Sequence, residues 1–290
     1  MAKGRIIKAL SGFYYVESEG QTVQCRARGN FRKKNITPLV GDMVEFEAEN
    51  PTDGYILAVE ARTSELFRPP IANIDQAILV FSAKEPDFSP LLLDKFLVHT
   101  EAAELESVIC VSKADLGLDK AEPYLPAYEQ AGYRVIITSS ELSGQVEELL
   151  PVLSGRLSVF AGQSGVGKSS ILNALKPELN LETAAISKSL NRGKHTTRHV
   201  ELIHMPNQGF VADTPGFSSL DFRHVETETL SAMYPEMAAR INDCKFRGCT
   251  HLNEPGCAVK QAVDTGDIAA FRYHSYQQFY EEIANRKRRY

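Results

Sequence analysis

Apolar and polar positions along the chain change rhythm twice. Over the first 66 residues the segments Gly4–Leu10, Phe13–Ser18, Gln21–Ala27, Asp42–Glu49 and Gly54–Val59 alternate or carry β-branched and aromatic residues, and Gly12, Gly20, Gly29, Gly41 and Gly54 punctuate them. Alternation of this period marks half-buried strands. Five short strands in so short a stretch predict a small β-barrel, with the oligonucleotide-binding (OB) fold as the leading form. Arg68-Pro69-Pro70 reads as a boundary, after which continuous apolar runs replace alternation. Gln76–Ser82, Ser107–Val111, Arg134–Thr138 and Leu157–Ala161 predict strands. Leu91–Glu104, Tyr124–Ala131, Gln145–Leu153 and a helix opening at Ser169–Leu175 separate or follow them. His199–His204 and Gly209–Ala212 predict two more strands around a turn at 206–208. Strands alternating with helices imply a mostly parallel α/β sheet covered on both faces. Beyond about Phe222 the pattern is helical and irregular, closing on a helix over Phe271–Arg289 with a basic tail. The expected organisation is multidomain: a barrel over 1–66, an α/β domain over 69–222 and a mostly helical module over 223–290.

Composition narrows the picture only a little. The 43% apolar and 24% charged content are those of a soluble globular protein. No run of 18 apolar residues exists, so no membrane association is expected. The first residues lack the pattern of a secretory leader, and five unevenly placed cysteines do not form a disulfide framework. A cytoplasmic monomer is the expectation. A net charge of −5 weighs against indiscriminate nucleic-acid binding. It leaves local basic clusters at Lys3, Arg5 and Lys8, at Arg26, Arg28, Arg32, Lys33 and Lys34, and at Arg286–Arg289. These either contact RNA or form solvated faces.

Gly162-Gln163-Ser164-Gly165-Val166-Gly167-Lys168-Ser169 follows an apolar strand and precedes a helix, the setting in which G-x-x-x-x-G-K-[ST] cradles phosphates. Backbone N–H groups of such a loop, continued by Ser170 in the helix, turn toward phosphate oxygens. Lys168 is expected to reach the β- and γ-phosphates and the Ser169 hydroxyl to ligate Mg²⁺.

Ser112-Lys113-Ala114-Asp115 ends an earlier strand. A carboxylate at Asp115 accepts two hydrogen bonds from guanine, a pair that adenine does not offer. Lys113 lays its aliphatic stem over the base. Ser112 stands where asparagine is usual, so the amide donors that tie this loop to the phosphate loop are missing, and modest nucleotide affinity is expected. Ser139 and Ser140, after the next strand, are expected to offer backbone N–H groups to the base.

The order is the unusual part, because the base-reading motif precedes the phosphate loop. Asp213-Thr214-Pro215-Gly216 follows it, with Asp213 expected on Mg²⁺ and Gly216 N–H on the γ-phosphate. Between them lies Asn191–His199, in which Thr197, favoured over Thr196, closes on Mg²⁺. Phe217 follows Gly216 and cannot orient water. His195 is the nearest candidate for that role and is equally well read as an exposed basic contact.

Cys244-x4-Cys249-x-His251-x5-Cys257 gathers four soft ligands in 14 residues and suits a structural, tetrahedral Zn²⁺. Cys25 and Cys110 lie on strand patterns and read as packing residues.

These pieces together resemble ribosome small subunit-dependent GTPase A, the circularly permuted assembly GTPases of bacteria. The resemblance rests on the Ser112 motif, GQSGVGKSS from Gly162, HTTRH from His195, DTPGF from Asp213 and the Cys/His cluster. It covers essentially the whole chain. It implies an OB barrel, a permuted GTPase and a zinc module. It also implies hydrolysis of GTP to GDP late in 30S maturation, stimulated by the 30S subunit, with 16S rRNA as a partner. Two rival readings stay open at this level: a nucleotide-gated RNA-binding module with little turnover, and an ATP-using P-loop enzyme.

Overall fold

The computed structural model describes residues 1–28, 31, 36–67, 70–142, 144–179, 181, 200–213, 222 and 225–287. They form two compact units, each assembled from separate stretches. One comprises Met1–Ala77, Val146–Ala161 and Lys168–Ser218, and the other Ile78–Gln145, Gly162–Gly167 and Ser219–Tyr290.

In the first unit the alternating segments become β1 (Ala2–Leu10), β2 (Phe13–Ser18), β3 (Gln21–Ala27), β4 (Met43–Ala48) and β5 (Gly54–Val59). β1 pairs antiparallel with β2 and β2 with β3; β3 runs parallel to β5; β4 is antiparallel to both β5 and β1. The circuit closes on itself and leaves a five-stranded barrel, filled by Ile6, Val16, Cys25, Val44 and Ile56, all fully buried. Only a glycine fits at position 4, where a Cβ would stand 2.4 Å from the Glu17 carbonyl oxygen. β4 starts one residue later than the alternation suggests, because Asp42 turns inward. Its buried carboxylate accepts from the Leu39 N–H at 2.7 Å and from both Nε and Nη2 of Arg62 at 2.8 Å. Next to the expected boundary, β6 (Glu65–Phe67) and β7 (Pro70–Ala72) pair antiparallel.

The barrel does not end the sheet. β1 continues through Lys8↔Glu201 into β12 (Glu201–His204), which pairs antiparallel with β13 (Phe210–Asp213), itself parallel to β11 (Leu157–Ala161). Arg5 on β1 stacks over Phe210 at 5.2 Å, and His204 hydrogen-bonds to Glu17. The helix expected over Gln145–Leu153 is a 3₁₀ turn, Val146–Leu149, followed by a single α-turn. Pro151 explains the break, since it is tolerated in a first turn and not in a helix interior.

In the second unit the strand order is β10 (Arg134–Ile137), β9 (Glu106–Ser112), β8 (Gln76–Ser82), with β9 and β10 parallel. β8 is buried along its whole length, which is why its sequence shows no alternation. Helix α1 (Pro90–Ala102) starts at an N-cap Ser89 with proline in its first turn. A short helix α2 spans Leu125–Gln130. The C-terminal segment contributes a short helical turn, Pro235–Ala238, and the helices Ala258–Thr265 and the long Ala270–Lys287. Val98 of α1 shares one core with Leu230, Tyr234, Met237, Tyr276, Phe279 and Ile283. Arg272, 1% exposed, bonds Asp94 of α1 at 2.5 Å and Glu236 at 2.7 Å, and lies 4.6 Å from the Tyr234 ring centre. Among the described residues no helix is long and apolar enough to cross a membrane.

Candidate functional site

The phosphate loop leaves β11, whose five residues are all buried, and leads into a helix over Lys168–Leu175. Gly162, Gly165 and Gly167 take φ of +142°, +83° and +95°. At Gly162 a Cβ would lie 2.1 Å from the Val80 carbonyl oxygen, so no other residue fits there. A backbone of this handedness turns successive N–H groups into a concave anion nest. Gln163, Ser164 and Gly165 are exposed, while Val166 is buried and anchors the loop. The first-turn N–H groups of the helix, around Ser169 and Ser170, have no intrahelical acceptors and carry the positive end of the dipole. Burial lowers the Lys168 ammonium to about 8. A polyanion placed against it would oppose that shift by charge attraction.

The Ser112–Asp115 motif, expected to read the base, is built at the end of β9. Lys113 takes a left-handed turn, φ 56°, and Asp115 sits in the following 3₁₀ turn, exposed to solvent. The Lys113 ammonium donates to the Glu85 carbonyl, which fixes the direction of its stem. Ala114 N–H donates to the Thr138 carbonyl at 3.2 Å, so the motif leans on the end of β10. Two side-chain contacts change the sequence-based expectation. The Ser112 hydroxyl donates to the Val166 carbonyl at 2.5 Å. The tie expected to be missing without asparagine is therefore present, made by the serine hydroxyl. The Ser139 hydroxyl donates to Asp115 Oδ1, so this serine orients the carboxylate through its side chain. The hydroxyl also accepts the Glu141 N–H at 3.1 Å.

Asp213 ends β13 with its backbone opposite Glu201. Its side chain, and residues His195, Thr196, Thr197, Gly216 and Phe217, lie outside the described residues.

The Cys/His cluster is assembled as its spacing predicts. One ligand atom from each of Cys244, Cys249, His251 and Cys257 falls within 4.8 Å of all the others. His251 Nδ1 lies 3.3 Å from Cys257 Sγ and 3.6 Å from Cys244 Sγ, and these two sulfurs are 4.0 Å apart. Bonds near 2.3 Å to sulfur and 2.0 Å to nitrogen set tetrahedral edges of about 3.8 and 3.5 Å. The four residues therefore fit one tetrahedral metal ion. Burial, reinforced by the Cys257 and Cys244 thiols, pushes the Cys249 thiol up to about 12. A metal ion bound here would take the place of the Cys249 proton. Sequence reasoning missed the brace around the group. Glu254 accepts from the N–H groups of Thr250, at 2.9 Å, and Leu252, at 3.1 Å, and from the Thr250 hydroxyl at 2.6 Å. Tyr273 and Tyr276 donate to the His251 and Thr250 carbonyls, both at 2.6 Å. Cys25 and Cys110 are buried in strands, as expected of packing residues.

The basic clusters are less available than their sequence suggests. Lys3 pairs with Glu60, Lys8 with Glu201 and Arg28 with Glu47. Arg26 lies over Phe13, and Arg286 bonds the Phe222 and Val225 carbonyls. Arg32, Lys33, Lys34, Arg288 and Arg289 are outside the described residues.

A closed barrel, a base-reading motif that precedes its phosphate loop in an α/β core, and a C-terminal Cys₃His group able to hold a metal define a circularly permuted GTPase. The chain belongs to the RsgA GTPase family: that family's model matches residues 59–223, and the RsgA N-terminal domain matches 3–56. Small ribosomal subunit biogenesis GTPase RsgA of Shouchella clausii is 58% identical over 294 aligned positions, covering 100% of both chains. Its namesake from Bacillus cereus is also 58% identical over the same span. Among solved structures, YloQ, described as a circularly permuted GTPase, superimposes with a TM-score of 0.85 at 48% identity, covering 99% of this chain and 96% of its own. YjeQ from Thermotoga maritima reaches 0.86 at 37% identity and covers 98% of each chain. The chain is thus a hydrolase acting on GTP.

Proposed function

We propose that this chain hydrolyses GTP to GDP and phosphate during late assembly of the small ribosomal subunit, working as a cytoplasmic monomer that the 30S subunit stimulates. The observation that carries the guanine-nucleotide part is the Ser112–Val166 hydrogen bond, which joins the base-reading loop to the phosphate loop. The assembly part is supported by the names of the full-length relatives. In this reading Asp115, Lys113 and the Ser139-Ser140 segment hold guanine, and Gly162–Ser170 wrap the phosphates, with Lys168 on the β- and γ-oxygens. Ser169, Asp213 and Thr197 supply the oxygen ligands that suit Mg²⁺, which would neutralise developing charge on the phosphates. Gly216 N–H senses the γ-phosphate, and His195 orients the attacking water once the subunit orders its loop. Zinc is the metal proposed for Cys244, Cys249, His251 and Cys257, since three thiolates and an imidazole suit it best.

The domain plan is a barrel over 1–66, a GTPase over 69–222 and a zinc module over 223–290, with barrel and zinc module both touching 16S rRNA. GTP hydrolysis is the decisive measurement, made with and without purified 30S subunits and with ATP in parallel. Strong acceleration with GTP alone supports the proposal. An unchanged slow rate leaves a nucleotide-gated binder, and equal use of ATP removes the guanine assignment.

A further inference from the structure

The four residues between the first two cysteines of the metal group, Lys245-Phe246-Arg247-Gly248, are all exposed. Phe246 keeps 44% of its surface in water, among the most exposed large apolar side chains described apart from the first residue. Nothing in the folding of the knuckle needs an aromatic there. The core of this segment is built by other residues, and the loop is held by Lys245 N–H donating to the Gly256 carbonyl at 3.0 Å and Thr250 N–H donating to the Glu254 carboxylate at 2.9 Å. Gly248, at φ +69°, turns the tip back toward Cys249. Lys245 and Arg247 flank the ring in sequence. Lys245 Nζ stands 5.5 Å from its centre, and neither Lys245 nor Arg247 has a carboxylate partner among the described residues. The barrel differs, since Lys3, Lys8 and Arg28 are each paired with a glutamate.

An exposed ring with a lysine ammonium beside it and an arginine next in the chain, neither with a carboxylate partner among the described residues, is the arrangement that takes an unpaired nucleobase. The base stacks on the ring face, and the phosphates on either side meet the cations.

We propose that the Cys244–Cys249 knuckle is a stacking platform for an unpaired RNA base, with Phe246 as the ring and Lys245 and Arg247 as its phosphate contacts. The proposal deepens the reading of this chain as a small-subunit assembly factor and rests on it for the identity of the RNA. The platform acts in binding and takes no part in the hydrolytic step.

The test uses the full-length protein with a non-hydrolysable GTP analogue and purified 30S subunits. Phe246→Ala weakens binding about tenfold or more, the range expected for losing one base–aromatic stack, while Phe246→Trp retains it. Lys245→Ala/Arg247→Ala weakens binding and flattens its dependence on salt by about two phosphate contacts. All three variants keep the wild-type metal content, melting temperature and basal GTP turnover, because the altered side chains are exposed and remote in sequence from the nucleotide loops. A photoreactive benzoyl-phenylalanine at position 246 crosslinks to RNA. Equal affinity of Phe246→Ala and wild type, or a crosslink to a ribosomal protein, overturns the proposal. If wild type does not bind 30S at all, the assembly reading fails separately. The knuckle is then judged on a fluorescent single-stranded oligoadenylate, where equal binding by wild type and Phe246→Ala overturns it.

Discussion

Ser112 shows how a single residue alters the reading of a nucleotide site. It is buried, and its hydroxyl ends on the Val166 carbonyl, so removing it strands a buried acceptor inside the phosphate loop. Ser112→Ala is expected to weaken GTP and GDP binding about three- to tenfold, in line with the loss of one buried hydrogen bond. Ser112→Thr, which keeps the hydroxyl, is expected to stay near wild type; titration calorimetry distinguishes the two. Lys168 carries a pH signature. Burial places its ammonium at about 8 in the free protein, and a bound polyphosphate raises it. Binding therefore prefers the protonated lysine. Affinity is expected to be flat below pH 8 and to fall by at most about tenfold per pH unit above it. Lys168→Arg, charged throughout, is expected to abolish that slope, and nucleotide titrations between pH 7 and 9.5 provide the check.

Two groups of elements stand on interactions that no local propensity supplies. The C-terminal helix Ala270–Lys287 docks on α1 through Arg272, which meets Asp94 and Glu236 away from water. Burial alone pushes the Asp94 carboxyl up, and the Arg272 guanidinium opposes it. Arg272→Met leaves Asp94 without its counter-charge and is expected to destabilise the protein by about 3–5 kcal/mol. Asp94→Leu/Arg272→Met is expected to cost less, since it removes the buried charges together; urea denaturation followed by circular dichroism compares them. The Cys₃His ligands are braced by Glu254, and Cys244, Cys249 and Leu252 pack against the core built by the C-terminal helices. Chelation is expected to release close to one zinc per chain, to lower the melting temperature and to strip amide protection from residues 241–268 while β8–β10 stay protected, as hydrogen exchange can follow.

At the scale of the molecule, the barrel is both a closed circuit of five strands and the edge partner of β12, through Lys8↔Glu201. A chain starting at residue 59 leaves β12 with an open edge and exposes Phe210 where Arg5 covered it. It is expected to melt several degrees lower and to self-associate in light scattering, unlike the full-length chain.

The sequence by itself determined much of what depends on near neighbours. Alternation located the barrel strands to within two residues, since a strand's two faces are set by successive side chains. The glycine loop and the Cys/His spacing announced their chemistry because their ligands lie on one short stretch of backbone. What only the tertiary structure decided lies far apart in sequence. The Ser112 tie spans 54 residues, the Ser139–Asp115 bond 24, and the Arg272–Asp94 pair 178. So too with the barrel cations: Lys8 reads as a free charge until folding brings Glu201 to it. The physical reason is the same in each case. A hydroxyl or a charge in a sequence has many potential partners, and only the packing of elements brings one of them within hydrogen-bond range.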